Sequence, residues 1–256
     1  MMDLDRHARA VAERVLDEEG RARDHLVVAL SGAHAYGFPS PDSDLDLKAI
    51  HVAKLADLVG LAPKPLHADR AETIDGVEID YTSNEIGHAL ASILEGNGNF
   101  VERIFPAIAL VRSPLLEELA PLVRRCLSRR LHRHYRGFAR NQERAIERGP
   151  VTAKSVLYVC RTTLTGAHVL STGEVEPNLT RLCRPYGFEE VEELVERKRA
   201  GERTLLDPAE VDRFRATIGR AFRTLDEALD RSILPESPTG VDALERFLVD
   251  LRRASV

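Results

Sequence analysis

Apolar residues along the first hundred positions change their period several times. Leu4, Ala8, Val11, Val15 and Leu16 recur at helical spacing, which predicts an amphipathic helix over residues 3–22. Leu26-Val27-Val28-Ala29-Leu30 is an unbroken apolar run of strand length, the pattern of a buried strand. Small residues follow in Ser31-Gly32-Ala33-His34-Ala35-Tyr36-Gly37, which reads as a turn, and Pro39-Ser40-Pro41-Asp42-Ser43 reads as a loop. From Asp44 to Val52 polar and apolar positions alternate, predicting a strand with one buried face. Asp75-Gly76 separates two alternating stretches within residues 72–82 and predicts a hairpin. Residues 83–95 read as a helix capped by Ser83 and broken by Gly96-Asn97-Gly98-Asn99.

Beyond residue 113 helical periodicity takes over. Helices are expected at 114–148, 151–171, 188–201, 207–231 and 239–254, and no strand. Strands first and helices afterwards predict an α+β domain in residues 1–112 and an all-helical domain in residues 113–256.

Composition changes this picture little. Hydrophobic residues are 43% of the 256, enough for a core. The apolar runs fall far short of the roughly 20 residues of a membrane span. The polar, acidic start Met1-Met2-Asp3-Leu4-Asp5-Arg6 is unlike a secretory signal. Cys126, Cys160 and Cys183 show no paired spacing and suit reduced thiols. A soluble, cytoplasmic protein is expected, with no membrane partner.

Charge is more informative. Residues 1–120 carry 11 basic and 21 acidic side chains, whereas residues 121–149 carry nine arginines against two glutamates. Carboxylates that work with a cation, beside a surface that holds anions, would account for the contrast. Arg125, Arg129, Arg133, Arg136, Arg140, Arg144 and Arg148 would line one face of the 114–148 helix, with Leu127, Leu131, Tyr135 and Phe138 packed inward. Such a stripe is either a solvated or salt-bridged face, or a track for a phosphodiester backbone or triphosphate. With both aromatics assigned to the core, a platform for stacked bases is not expected.

The chemistry rests on Asp44-x-Asp46 at the start of one strand and Asp80 on another. Residues two apart on a strand share a face, so Asp44 and Asp46 project together while Leu45 and Leu47 face the core. Glu78 and Asp80 likewise lie opposite Ile79 and Tyr81. Bare carboxylates this close repel unless a cation lies between them. Three converging from neighbouring strands would suit Mg²⁺, with Mn²⁺ the alternative, together with substrate phosphates. Asp-x-Asp alone also fits an exposed strand face. The turn at Gly32–Gly37, directly after a buried strand, adds backbone N–H groups of the kind that cradle phosphate.

In combination these stretches resemble the DNA polymerase beta-like nucleotidyltransferase superfamily, and within it the bacterial RNA repair ligase-associated, polymerase-beta-type branch. Members read approximately G-S-x-x-Y-G, P-x-S-D-x-D-L, a Val/Ile-Asp strand and a helix ending in G-N-x-N. The counterparts are Gly32-Ala33-His34-Ala35-Tyr36-Gly37, Pro41-Asp42-Ser43-Asp44-Leu45-Asp46-Leu47, Glu78-Ile79-Asp80 and Glu95-Gly96-Asn97-Gly98-Asn99-Phe100-Val101-Glu102. The resemblance implies a small mixed sheet flanked by helices and a metal-binding catalytic triad of Asp44, Asp46 and Asp80. It also implies a triphosphate turn shaped by Gly32. Ala33 stands where the family has serine, and Ser31 or Ser43 could compensate.

Lys154, Tyr158 and Arg161 share a helix face and match a later motif of that branch, which implies contact with the nucleotide. Lys154 is otherwise a snorkelling surface lysine. His34 could touch a phosphate or base, or simply be polar surface. The expected activity is metal-dependent transfer of NMP from an NTP, ATP by preference, to a hydroxyl on RNA, a protein or a small molecule. The alternatives are a non-catalytic nucleotide- or RNA-binding module of the same fold and, less favoured, a nucleotide-sugar glycosyltransferase that uses Asp-x-Asp.

Overall fold

The computed structural model describes residues 4–201 and 205–254. Residue 3, the expected start of the first helix, lies outside them. The first half holds α1 (Arg6–Ala22), β1 (Asp24–Leu30), α2 (Gly32–Tyr36), β2 (Leu45–Val52), α3 (Leu55–Val59), β3 (His67–Ile74), β4 (Val77–Glu85), α4 (Ile86–Leu94), α5 (Gly98–Ile104) and β5 (Ile108–Arg112). The second holds α6 (Pro114–Arg124), α7 (Leu131–Arg148), α8 (Ala153–Thr172), α9 (Leu179–Tyr186), α10 (Glu192–Arg199), α11 (Pro208–Asp230) and α12 (Val241–Ala254).

The strands form one mixed sheet in the order β3-β4-β2-β1-β5. β2 and β4 run parallel at its centre, and the remaining pairs are antiparallel. The fold is therefore the expected small mixed sheet flanked by helices, followed by a helical region. The Asp75-Gly76 turn forms the β3–β4 hairpin with both residues at positive φ, 50° and 84°, the geometry that a two-residue hairpin connection favours.

Period-two alternation sorts the two sheet faces. Leu45, Leu47, Ile79 and Tyr81 pack with Val28 and Leu30 against Ala8, Val11, Ala12 and Val15 of α1. Asp5 caps that helix, accepting from the backbone N–H groups of His7 and Ala8. The opposite face turns apolar at Val27 and Ile50, which join a cluster running through α4, α5, α6, α8 and α11. On β2 this second face carries Asp46 and Lys48 before Ile50, so polar groups stand at one end of the strand and the core begins below them.

Two local expectations are corrected, and two further elements, β5 and α9, were not among those expected. Ser83 does not cap a helix: β4 continues to Glu85, and the buried Ser83 hydroxyl lies 2.8 Å from His51 Nδ1. Glu85 is the cap, accepting from the Gly87 N–H. Ile108–Arg112 is the edge strand β5, and α9 was not marked by periodicity. The 114–148 stretch is two helices, because residues 125–130 turn and dock on the chain near Leu234 through Arg129 N–H to Pro235 C=O at 2.9 Å. Among the described residues no helix is long and apolar enough to cross a membrane.

Burial holds the His51 imidazole down to about 4. Its folded-state pKa lies below the unfolded value near 6.5, so its contribution is present above that value and lost as pH falls towards 4. Unfolding free energy is expected to drop by about 2 kcal/mol between pH 7 and pH 5 from this group. Denaturant titrations at the two pH values, compared between wild type and His51→Asn, measure it; an unchanged pH dependence in the variant refutes the assignment.

Candidate active site

Parallel pairing of β2 with β4 sets Asp46 directly beside Asp80, and Lys48 beside Thr82. Asp44 stands one residue ahead of β2 and is exposed. The Lys48 ammonium lies 2.8 Å from Asp80 Oδ2 and 3.8 Å from Asp46 Oδ1. It also donates to the Asp80 carbonyl at 3.3 Å and to Thr82 Oγ1 at 3.4 Å. A cation therefore does hold the two carboxylates together, and it belongs to the chain itself. Among the described residues no three His, Cys, Asp or Glu side chains gather closely enough to hold a metal ion in this arrangement.

Asp46 is the half-buried member of the set. Burial pushes its carboxyl above the usual range; Lys48 opposes this, while Asp80 and Asp44 reinforce it. Its carboxylate also explains Gly32. That residue sits at φ +59°, and a Cβ there would fall 1.8 Å from Asp46 Oδ2. Gly32→Ala is expected to drive the Asp46 carboxylate out of place and to cost about 1–2 kcal/mol through the left-handed backbone alone. Thermal unfolding combined with a nucleotide-binding assay checks this, and wild-type values in both would rule it out.

A cleft of about 220 Å³ opens over this point, lined by Ser31, Gly32, Tyr36, Asp46, Lys48, Asn99, Glu102, Arg103 and Tyr158 among others. The predicted Gly32–Gly37 turn is the one-turn helix α2. Ser31 precedes it, with its hydroxyl 3.4 Å from Tyr36 Oη and making no cap bond. Ala33 is buried in an apolar cluster with Phe38, Val159 and Phe214, which accounts for an apolar side chain where the family has a hydroxyl.

The remaining candidates divide between cleft and support. Tyr158 lines the cleft and meets Tyr36 and Phe38 edge-on. Lys154, one turn earlier, has its ammonium 5.8 Å from the Tyr158 ring and acts on Asp46 through space, lowering its pKa. Ser43 accepts from the Ser40 N–H and from the fully buried Lys198 ammonium at 2.9 Å. Lys198 also donates to Ser40 Oγ at 2.6 Å, so α10 clamps the loop that leads to Asp44. His34 bonds the backbone of Ser43, and burial lowers its pKa.

Arg161 is buried at 3% exposure, below the cleft rather than in it. It pairs with Glu102 at 2.6 Å, lies 3.6 Å over the Tyr36 ring and leaves Nε without a hydrogen-bond partner. Lys48, Asn99, Glu102, Arg103 and Lys198 were not singled out individually from sequence. Lys48 could have been, since the alternation that groups Asp44 with Asp46 also includes it.

The arginine stripe is dispersed. Arg125 ends α6, and Arg129 donates to the Ser232 and Leu234 carbonyls. Arg136 shares Asp226 with His132. Arg140 pairs with Glu143. Phe138, expected in the core, is 41% exposed.

The signature of the RNA repair pathway DNA polymerase beta family matches residues 9–250. An uncharacterized protein of Methanocaldococcus jannaschii is 26% identical over 159 residues, which span 60% of this chain and 64% of that protein. A crystal structure of a nucleotidyltransferase-like protein from Exiguobacterium sibiricum aligns with 94% of this chain and 78% of its own, at 14% identity and a TM-score of 0.32.

Proposed function

This chain belongs to the RNA repair pathway DNA polymerase beta family, and on that premise we propose that it transfers a nucleoside monophosphate from a triphosphate, ATP by preference, to an acceptor hydroxyl. The observation that carries the reading is the Asp46–Asp80 pair held around one cation beneath a cleft, with Gly32 pressed against Asp46. The Lys48 ammonium is a stand-in ion. It marks a point where carboxylate oxygens already hold positive charge, and hard oxygen donors of this kind fit Mg²⁺ or Mn²⁺. Asp46 and Asp80 would hold it, with Asp44, exposed one residue ahead of β2, as the third candidate. When bound, the ion supplies charge neutralisation for the triphosphate.

The chain's own groups supply the rest. Asp80, more than half exposed, would accept the acceptor's proton as the acceptor oxygen bonds the α-phosphorus and pyrophosphate leaves. Ser31 and the backbone at Gly32 would meet the triphosphate, helped by Lys154 across the cleft and by His34 and Ser43 at its edge. Tyr158 would wall the nucleotide, with Arg161 bracing Tyr36 behind it. Residues 1–112 would act as the nucleotidyltransferase domain and residues 113–256 as the helical domain that closes the cleft. Three buried free thiols support a reducing, cytoplasmic setting. The family's RNA repair description favours an RNA end as acceptor over a protein or small molecule.

Incubation with labelled triphosphates, Mg²⁺ and pooled RNA and protein acceptors tests the proposal: label transfer with stoichiometric pyrophosphate is expected. Binding of ATP with Mg²⁺ but no turnover on any acceptor would favour the second reading, a non-catalytic module, to which Ala33 in the place of serine points.

A further inference from the structure

Among the charged side chains that line the cleft, one lacks a counter-charge. Lys48 reaches Asp80 and Asp46, and Glu102 is paired with the buried Arg161. Arg103 lines the same cleft from α5, and among the described residues no carboxylate lies within ion-pair distance of it. Its partners are neutral. Nη1 donates to the Ala49 carbonyl at 3.2 Å and to Asn84 Oδ1 at 2.6 Å, and the guanidinium lies 4.8 Å from the Phe100 ring. Burial pushes this guanidinium down to about 10, opposed by the more distant charges of Asp69 and Asp80, so near pH 7 it stays charged. A cation withdrawn from water without a counter-ion is costly to keep.

The same two contacts fix its orientation. Ala49 and Asn84 belong to β2 and β4, so the strands that carry Asp46 and Asp80 also hold the guanidinium. Both contacts use Nη1. Nε and Nη2 are left without a hydrogen-bond partner among the described residues, and neither is sealed from solvent. These two nitrogens carry the parallel N–H pair with which arginine meets two oxygens of one carboxylate or phosphoryl group.

The lining of the cleft decides which anion the pair would meet. Ser31, Gly32, Asp46 and Lys48 share the cavity with Arg103, whereas Asp80 does not line it. Arg103 therefore stands on the side of the Gly32 turn, not on the side where Asp80 would meet the acceptor. Lys48, the other cation of the lining, is already engaged by Asp80. We propose that Arg103 binds the pyrophosphate portion of the nucleotide, with Nε and Nη2 donating to two oxygens of one phosphoryl group. This deepens the nucleotidyl-transfer reading, on which it rests for the identity of the anion.

Isothermal titration of wild type, Arg103→Gln and Arg103→Lys with pyrophosphate, ATP and AMP, each with Mg²⁺, tests the assignment, and melting curves check folding. Arg103→Gln is expected to weaken pyrophosphate and ATP about 10- to 100-fold, with AMP within about twofold of wild type. Arg103→Lys keeps the charge without the fork and should recover only part of the loss. If the glutamine variant does not fold, a loss of about threefold or more for pyrophosphate in the lysine variant carries the test. Pyrophosphate and ATP affinities indifferent to Arg103, an equal loss for AMP, or a wild-type chain that takes up neither ATP nor pyrophosphate would overturn the assignment. Turnover is read in parallel on the wild-type chain. Turnover with pyrophosphate binding indifferent to Arg103 removes this residue alone, and Arg103-dependent pyrophosphate binding without turnover on any acceptor removes the transferase reading alone.

Discussion

Asp46→Asn is expected to lower nucleotidyl transfer by about 10²–10³ or more while leaving the fold intact. The substitution keeps the size and shape of the side chain and removes only its charge. Asp46 is the point on which the site converges: it faces Asp80 across the parallel strands, lies 3.8 Å from the Lys48 ammonium and presses on Gly32. It is also the carboxylate whose ionised form is opposed by burial and by two like-charged neighbours. A charge kept there against desolvation needs a partner, and under the proposed chemistry that partner is the cation shared with the triphosphate. Because the change removes a repulsion, thermal stability should stay level or rise slightly. Pyrophosphate release under saturating ATP and Mg²⁺ measures the first part and a melting curve the second. Activity within threefold of wild type would remove Asp46 from the chemistry.

Arg161→Met should destabilise the protein by about 3–5 kcal/mol, the largest stability effect expected of any single change here. The buried guanidinium is the counter-charge for Glu102, which is itself largely buried in the cleft wall. It also covers the Tyr36 ring at 3.6 Å. Removing it leaves a largely buried carboxylate with the Tyr135 hydroxyl as its hydrogen-bond partner. Replacing both members, Arg161→Met with Glu102→Leu, should recover much of the loss, because the penalty comes from the orphaned charge. Urea unfolding of the wild type, the single variant and the double variant decides it. A single variant as stable as wild type, with ATP affinity reduced, would instead place Arg161 in direct contact with nucleotide.

Several elements were legible because their signals are local. The apolar run of β1, the alternation of β2 and the Asp75-Gly76 turn each specify their own geometry within a few residues. Leu45, Leu47, Ile79 and Tyr81 could accordingly be assigned to the core. Other features depend on distant partners. Ser83 resembles a cap until His51 claims its hydroxyl from the neighbouring strand. The break between α6 and α7 is not marked by glycine or proline within residues 125–130; it is set by docking onto residues 232–235. Phe138 at helical spacing looks like core, and the helix border that leaves it outside exists only once α5 and α8 are in place. Lys198 reaches Ser43 from 155 residues away, a contact beyond any periodicity. For the site, spacing brought Asp46 and Asp80 to notice, while the identity of the charge between them lay in strand register and side-chain reach.

That charge has a consequence for the order of events. With Lys48 reaching across to Asp80, one of the pair's two carboxylate charges is offset before any substrate arrives, and the strands need no outside ion to stay paired. On the proposed chemistry the ammonium must be given another anion as it leaves, and a triphosphate oxygen entering over Gly32 is one. Lysine would then act as a resident placeholder, keeping the pair from collapsing onto stray cations and yielding only to a visitor that carries negative charge of its own.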